Sequence, residues 1–122
     1  PDFVLIELGG NDALRGYSIG LIKSNLEKMI ALAKQNKSKV LLMQIRIPPN
    51  YGQKYTHAFE KIYVDLAQTE EVYLLPFMLE EIGINSELMQ PDGIHPNKKA
   101  QPLIAKEMKK NIDKFLLFNQ SN

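Results

Sequence analysis

The sequence predicts an α/β fold, a parallel β-sheet with helices on both faces. Three observations carry this reading. Apolar segments and amphipathic helical segments alternate in the order strand, helix, strand, helix, strand, loop, helix, which is the pattern of a parallel sheet with crossover helices. The strand candidates are nearly continuous apolar runs, as expected of strands buried on both faces. The 122 residues contain no internal repeat, low-complexity tract or linker, so one domain, residues 1–122, is expected.

The first strand candidate is "FVLIEL", Phe3 to Leu8, followed by two glycines. Ile22, Leu26, Met29, Ile30 and Ala33 follow at offsets of four, seven, eight and eleven, one face of a helix. "KSKVLLMQIRI", Lys37 to Ile47, is a second buried strand, stopped by Pro48 and Pro49. Tyr55, Phe59, Ile62 and Leu66 mark one face of a second helix. "VYLLPF", Val72 to Phe77, is a shorter third strand ended by Pro76. Ile104, Met108, Ile112 and Phe115 mark a last helix, and Pro102 either kinks its first turns or marks its start.

Composition excludes several classes of function. The net charge of +1 gives no electrostatic case for nucleic acid or for an anionic membrane. No cysteine is present, so disulfides, thiolate catalysis and Cys-based zinc sites are excluded. Two histidines do not make a His-rich metal site, and no calcium-loop spacing occurs. No apolar run approaches the roughly 18 residues of a membrane span. Pro1 and Asp2 lead straight into a core-type strand with no initiator Met, so the chain is expected to be cut at its N-terminus.

In such sheets ligands bind beyond the carboxyl ends of the strands. Three polar segments fall there: "GGNDALRG" after the first strand, "IPPNYG" after the second, and "QPDGIHPN", Gln90 to Asn97, in the loop after the third. In "DGIH" a glycine turn can bring the Asp92 carboxylate beside the His95 imidazole. An Asp bonded to Nδ1–H fixes the tautomer and leaves Nε2 as a general base. The residues alone leave a second reading open, an ordinary Asp-Gly turn with a solvated His. Asn11, after two glycines, is either a donor to a developing oxyanion or a turn residue. "GGND" lacks the glycine spacing and the lysine of a phosphate loop. His57 falls on the second helix and reads as a surface residue.

Taken together, "ELGGNDALRG", "LLMQIRIPPNYG" and "DGIHPN" resemble the SGNH, or GDSL, hydrolase family, above all its thioesterase I / protease I / lysophospholipase group. The resemblance runs across nearly the whole chain. It implies a three-layer α/β/α sandwich of the flavodoxin-like SGNH hydrolase type, with the N-terminal strands missing here. It also implies hydrolysis of carboxylic esters and thioesters by a Ser-His-Asp mechanism. Asn11 falls on the family's oxyanion-hole Asn, and Asp92 and His95 fall on its acid and base. Gly10, Leu14, Ile45, Ile47 and Pro48 would line the substrate, a small-molecule acyl ester or thioester.

The resemblance implies no cofactor, no metal, no nucleic acid and no stable membrane insertion, and it makes a periplasmic or secreted location natural. The family's nucleophile sits in a "GDS" motif that precedes its "GxND" block. Ser18, Ser24, Ser38, Ser86 and Ser121 are the serines here, and none has that context. The nucleophile is therefore expected in a missing N-terminal segment, with this chain inactive alone. The alternatives are a carbohydrate or aryl esterase of the same fold, and a non-catalytic binding module. Without preceding strands, Phe3 to Leu8 would be an exposed edge.

Overall fold

Three parallel strands, β1 (Phe3–Ile6), β2 (Lys39–Met43) and β3 (Tyr73–Leu75), form the sheet of the computed structural model, which describes residues 1–120. The strand order is β1-β2-β3, with Val4 opposite Val40 and Leu42 opposite Leu74. The helices are α1 (Gly10–Leu14), α2 (Ile19–Gln35), α3 (Gln53–Thr69) and α4 (Gln101–Gln120). The chain divides into two compact units, Pro1–Leu75 and Pro76–Asn122.

In the first unit, α2 links β1 to β2 and α3 links β2 to β3. Ser18 starts α2, its Oγ accepting the Leu21 N–H at 3.2 Å, a side-chain cap for an otherwise unpaired donor. Ile22, Leu26 and Ile30 form the buried stripe of α2, and Phe59, Ile62, Tyr63 and Leu66 that of α3. These stripes meet Ile6, Val40 and Leu42 of the sheet in one core cluster, with Ala13, Ile47 and Val72. Each such aliphatic or aromatic side chain contributes about 1.5–3 kcal/mol on full burial. Leu41 and Met43 alternate to the other face of β2 and are also buried, so β2 is covered on both sides.

β1 is shorter than its apolar run, and it is the partly exposed edge expected when no strand precedes it. It ends at Ile6, two residues early, and Phe3 and Leu5 are 40% and 41% exposed. It is the outer strand, paired only with β2 among the described residues, so Phe3 and Leu5 stay partly open to solvent. β2 is likewise shorter than the apolar run that predicts it. Gln44 extends the ladder by one bond, its N–H donating to the Leu75 carbonyl at 2.9 Å. Its side-chain amide donates to the Ile45 and Glu60 carbonyls, both at 3.1 Å, which ties the chain leaving the sheet to α3. Pro49–Tyr51 then form a 3-10 turn before α3.

The second unit has a short 3-10 turn (Ser86–Leu88), a loop closed by the antiparallel bridge Met89–Pro96, another 3-10 turn (Lys98–Ala100), and α4. Met78, Ile82, Ala100 and Phe115 are its buried apolar residues, and Ile104, Met108 and Ile112 are half-buried. Pro102 is the second residue of α4. It marks the start, where a missing N–H costs no helical bond. Among the described residues no helix is long and apolar enough to cross a membrane. Ser121 lies outside the described residues.

Candidate active site

The Gln90–Asn97 loop is built from local hydrogen bonds. Gln90 N–H donates to the His95 carbonyl at 2.8 Å, and the Gln90 side chain donates to the Pro96 carbonyl at 3.1 Å. Gly93 takes φ +69°, which a side chain would resist. Asn97 anchors the far end. Its Nδ2 donates to the Glu87 carbonyl at 2.7 Å, and its Oδ1 accepts the Lys99 N–H at 2.9 Å.

Asp92 sits at the centre of this loop and uses both carboxylate oxygens. Oδ1 accepts the backbone N–H groups of Ile94 at 2.9 Å and His95 at 3.0 Å. Oδ2 faces His95 Nδ1 at 2.7 Å. The imidazole beside it and the two backbone N–H groups lower the Asp92 carboxyl to about 2, from the ordinary 3.8, because each donor favours the charged form. An ionised Asp92 accepts a proton-bearing Nδ1 and so leaves the lone pair on Nε2. The expected pairing of Asp92 with His95 is present.

Asn11 belongs to the first unit. Sequence reading places it in a turn or loop, but Gly10–Leu14 is a one-turn helix, α1. The reason lies in Gly9, whose φ of +109° turns the chain out of β1, and in Ala13, which is fully buried. Asn11 itself is exposed, and only its backbone carbonyl is tied, accepting the Arg15 N–H at 3.1 Å. Gly10 leaves room for Ile45: a Cβ there would lie 3.3 Å from Ile45 Cγ2. Leu14 and Ile45 are half-buried and pack against the core, and Pro48 is half-buried. Ile47 is a core residue, 7% exposed. His57 is exposed on α3, as expected.

One residue that sequence reading misses is Tyr63. It is fully buried, and its hydroxyl donates to the Leu8 carbonyl at 2.7 Å. Burial first, and the Asp12 carboxylate second, push its phenol up from the ordinary value, so it stays a neutral donor. The helical spacing that picks out Phe59 also includes the position four residues on, and the two rings meet edge to face at 5.4 Å.

The family model described as "GDSL-like Lipase/Acylhydrolase family" matches residues 1–102. The chain is 49% identical over 116 residues to an arylesterase of Vibrio mimicus, covering 95% of this chain and 58% of that protein. It is 47% identical over 112 residues to thioesterase 1/protease 1/lysophospholipase L1 of Escherichia coli K12, covering 92% of this chain and 54% of that one. It thus spans a little over half the length of these relatives. Among solved structures, the psychrotrophic esterase EstA of Pseudoalteromonas superposes with a TM-score of 0.92 at 41% identity, over 95% of this chain and 63% of that chain.

Proposed function

The chain belongs to the GDSL-like lipase/acylhydrolase family, and from that premise we propose that it carries the acid–base pair and one oxyanion donor of an enzyme that hydrolyses carboxylic esters and thioesters. The observation that carries the reading is the Asp92–His95 pair: a 2.7 Å contact to Nδ1, with the other carboxylate oxygen already taken by two backbone N–H groups. An Asp free to turn would not fix the imidazole; this one is clamped. The names of the relatives, an arylesterase and a thioesterase/lysophospholipase, support the substrate class.

In this mechanism His95 Nε2 takes the proton from a Ser hydroxyl as its oxygen attacks the acyl carbon. Asp92 holds the ring and stabilises the imidazolium that results. The Asn11 side-chain amide donates to the tetrahedral oxyanion. His95 then returns the proton to the leaving alkoxide or thiolate, and a water repeats the cycle on the acyl-enzyme. Leu14, Ile45 and Pro48 present apolar surface to the acyl group beside Gly10, and Ile47 supports them from the core.

We place the nucleophile in sequence outside these 122 residues. The described serines are engaged otherwise or lie in other settings. Ser18 caps α2, Ser38 donates to the Pro1 carbonyl at 2.6 Å, Ser24 is within α2, and Ser86 is in a 3-10 turn. The test joins this chain to a Ser-bearing segment of the family type and follows hydrolysis of a short-chain aryl ester and an acyl thioester. His95→Ala should lower kcat by several orders of magnitude and His57→Ala should leave it unchanged. Equal effects of the two substitutions would remove His95 from the reaction.

A further inference from the structure

We infer that Tyr63 is a positioning residue for the Asn11 oxyanion donor, acting through the Leu8–Gly9 backbone. The inference rests on the proposed hydrolase reading for the role of Asn11, but the geometry stands by itself. Leu8 is the last residue before the turn, and Tyr63 Oη holds its carbonyl at 2.7 Å from the core side. The next residue, Gly9, has φ +109°, and a Cβ built there would lie 2.3 Å from the same hydroxyl oxygen. The hydroxyl thus fills the space a side chain at position 9 would need and pins the carbonyl before it.

The consequence falls on α1. Gly9 is its N-cap, with no side-chain cap, and Ala13 N–H donates to the Gly9 carbonyl at 3.1 Å. This one turn is therefore held by the Tyr63–Leu8 bond on one side and by buried Ala13 and core-packed Leu14 on the other. Asn11 lies between them. A helix of five residues has little stability of its own, so the bond from α3 contributes to where Asn11 is held. Tyr63 is itself held by full burial and by the edge-to-face contact with Phe59, which makes it a rigid reference rather than a mobile ligand. It never touches substrate in this scheme.

A positioning role makes a kinetic prediction that a packing role does not. In the complete protein, Asn11→Ala should lower kcat by about 10²–10³-fold, the cost of one oxyanion donor. Tyr63→Phe keeps the ring and should lower kcat by about tenfold, a small misplacement of that donor, with KM little changed. In the Asn11→Ala background Tyr63→Phe should have no further effect, because the group it positions is gone. Multiplicative effects of the two substitutions, or an unchanged kcat for Tyr63→Phe, would overturn the inference.

A readout free of turnover keeps the two proposals apart. In ¹H–¹⁵N spectra of the complete protein, Tyr63→Phe should move the Gly10 and Asn11 amide resonances and leave those of Ile94 and His95 in place. If His95→Ala leaves hydrolysis intact, the hydrolase reading fails while these spectra still decide the geometry. Unmoved Gly10 and Asn11 resonances would refute the positioning role whatever the activity.

Discussion

Gly9→Ala gives a direct energetic test of the contact between the turn and α3. The new methyl would sit 2.3 Å from Tyr63 Oη, with the next atoms, Tyr63 Cζ and Ile22 Cγ2, at 3.5 and 3.7 Å. Two costs follow. A positive φ costs an L residue about 1–2 kcal/mol, and forcing an atom into a filled core site costs about 1–3 kcal/mol. Gly9→Ala should therefore destabilise by about 2–5 kcal/mol. Tyr63→Phe alone loses one net hydrogen bond, about 0.5–1.5 kcal/mol. In the double variant the overlapping oxygen is gone and the remaining contacts are ordinary van der Waals distances. Only the backbone cost and the lost hydrogen bond remain, so Tyr63→Phe should rescue part of the damage. Urea denaturation of the four proteins gives the coupling energy directly. A coupling of about 1–3 kcal/mol in the rescuing direction is expected. If the two substitutions simply add, Oη does not occupy the space above Gly9, and the inference about Tyr63 loses its steric half.

Two further predictions concern the loop of the second unit. Asp92→Asn presents an amide N–H to His95 Nδ1, which moves the imidazole proton to Nε2 and removes the base, so kcat of the complete protein should fall by about 10⁴-fold; ¹⁵N shifts of the His95 ring should report the changed tautomer, and an unchanged tautomer with unchanged kcat would refute the pairing. Acid stability should follow the same carboxylate. Its folded value, about 2, lies below the ordinary 3.8, so its stabilising effect is present above 3.8 and is lost as the pH falls through 2. Unfolding followed between these limits should be less pH-sensitive in Asp92→Asn than in the parent, and identical acid sensitivity would show that the carboxylate is not held.

Much of the fold was legible because it rests on short-range patterns. The α2 stripe of Ile22, Leu26 and Ile30 and the α3 stripe of Phe59, Ile62 and Leu66 are buried as the helical spacing predicts. The Asp92–His95 contact was legible for a similar reason: a three-residue separation across Gly93 allows few arrangements. What sequence reading missed was set by distant partners. β1 stops at Ile6 although the apolar run continues to Leu8, because the Leu8 carbonyl is taken by a tyrosine 55 positions away. α1 carries no periodic signal, since five residues beginning with Gly make barely one turn. Ile47 illustrates an ambiguity of a different kind. An apolar residue at a strand end suits a substrate wall and a core equally, and only packing distinguishes the two; here it lies in the core.

These two ways of holding a side chain bear on how the proposed chemistry would respond to change. The acid–base pair is closed by bonds among residues 90 to 97, each a few positions from its partner. Asn11, the proposed oxyanion donor, is held differently. Its turn leans on the Tyr63 hydroxyl and on the burial of Ala13, and Tyr63 in turn leans on Phe59. Core substitutions on the buried face of α3 therefore have a route to Asn11. An oxyanion donor must meet the charge where it develops, and electrostatic stabilisation of this kind depends on donors fixed in advance. In the proposed mechanism, packing on the buried face of α3 is therefore coupled to the position of Asn11.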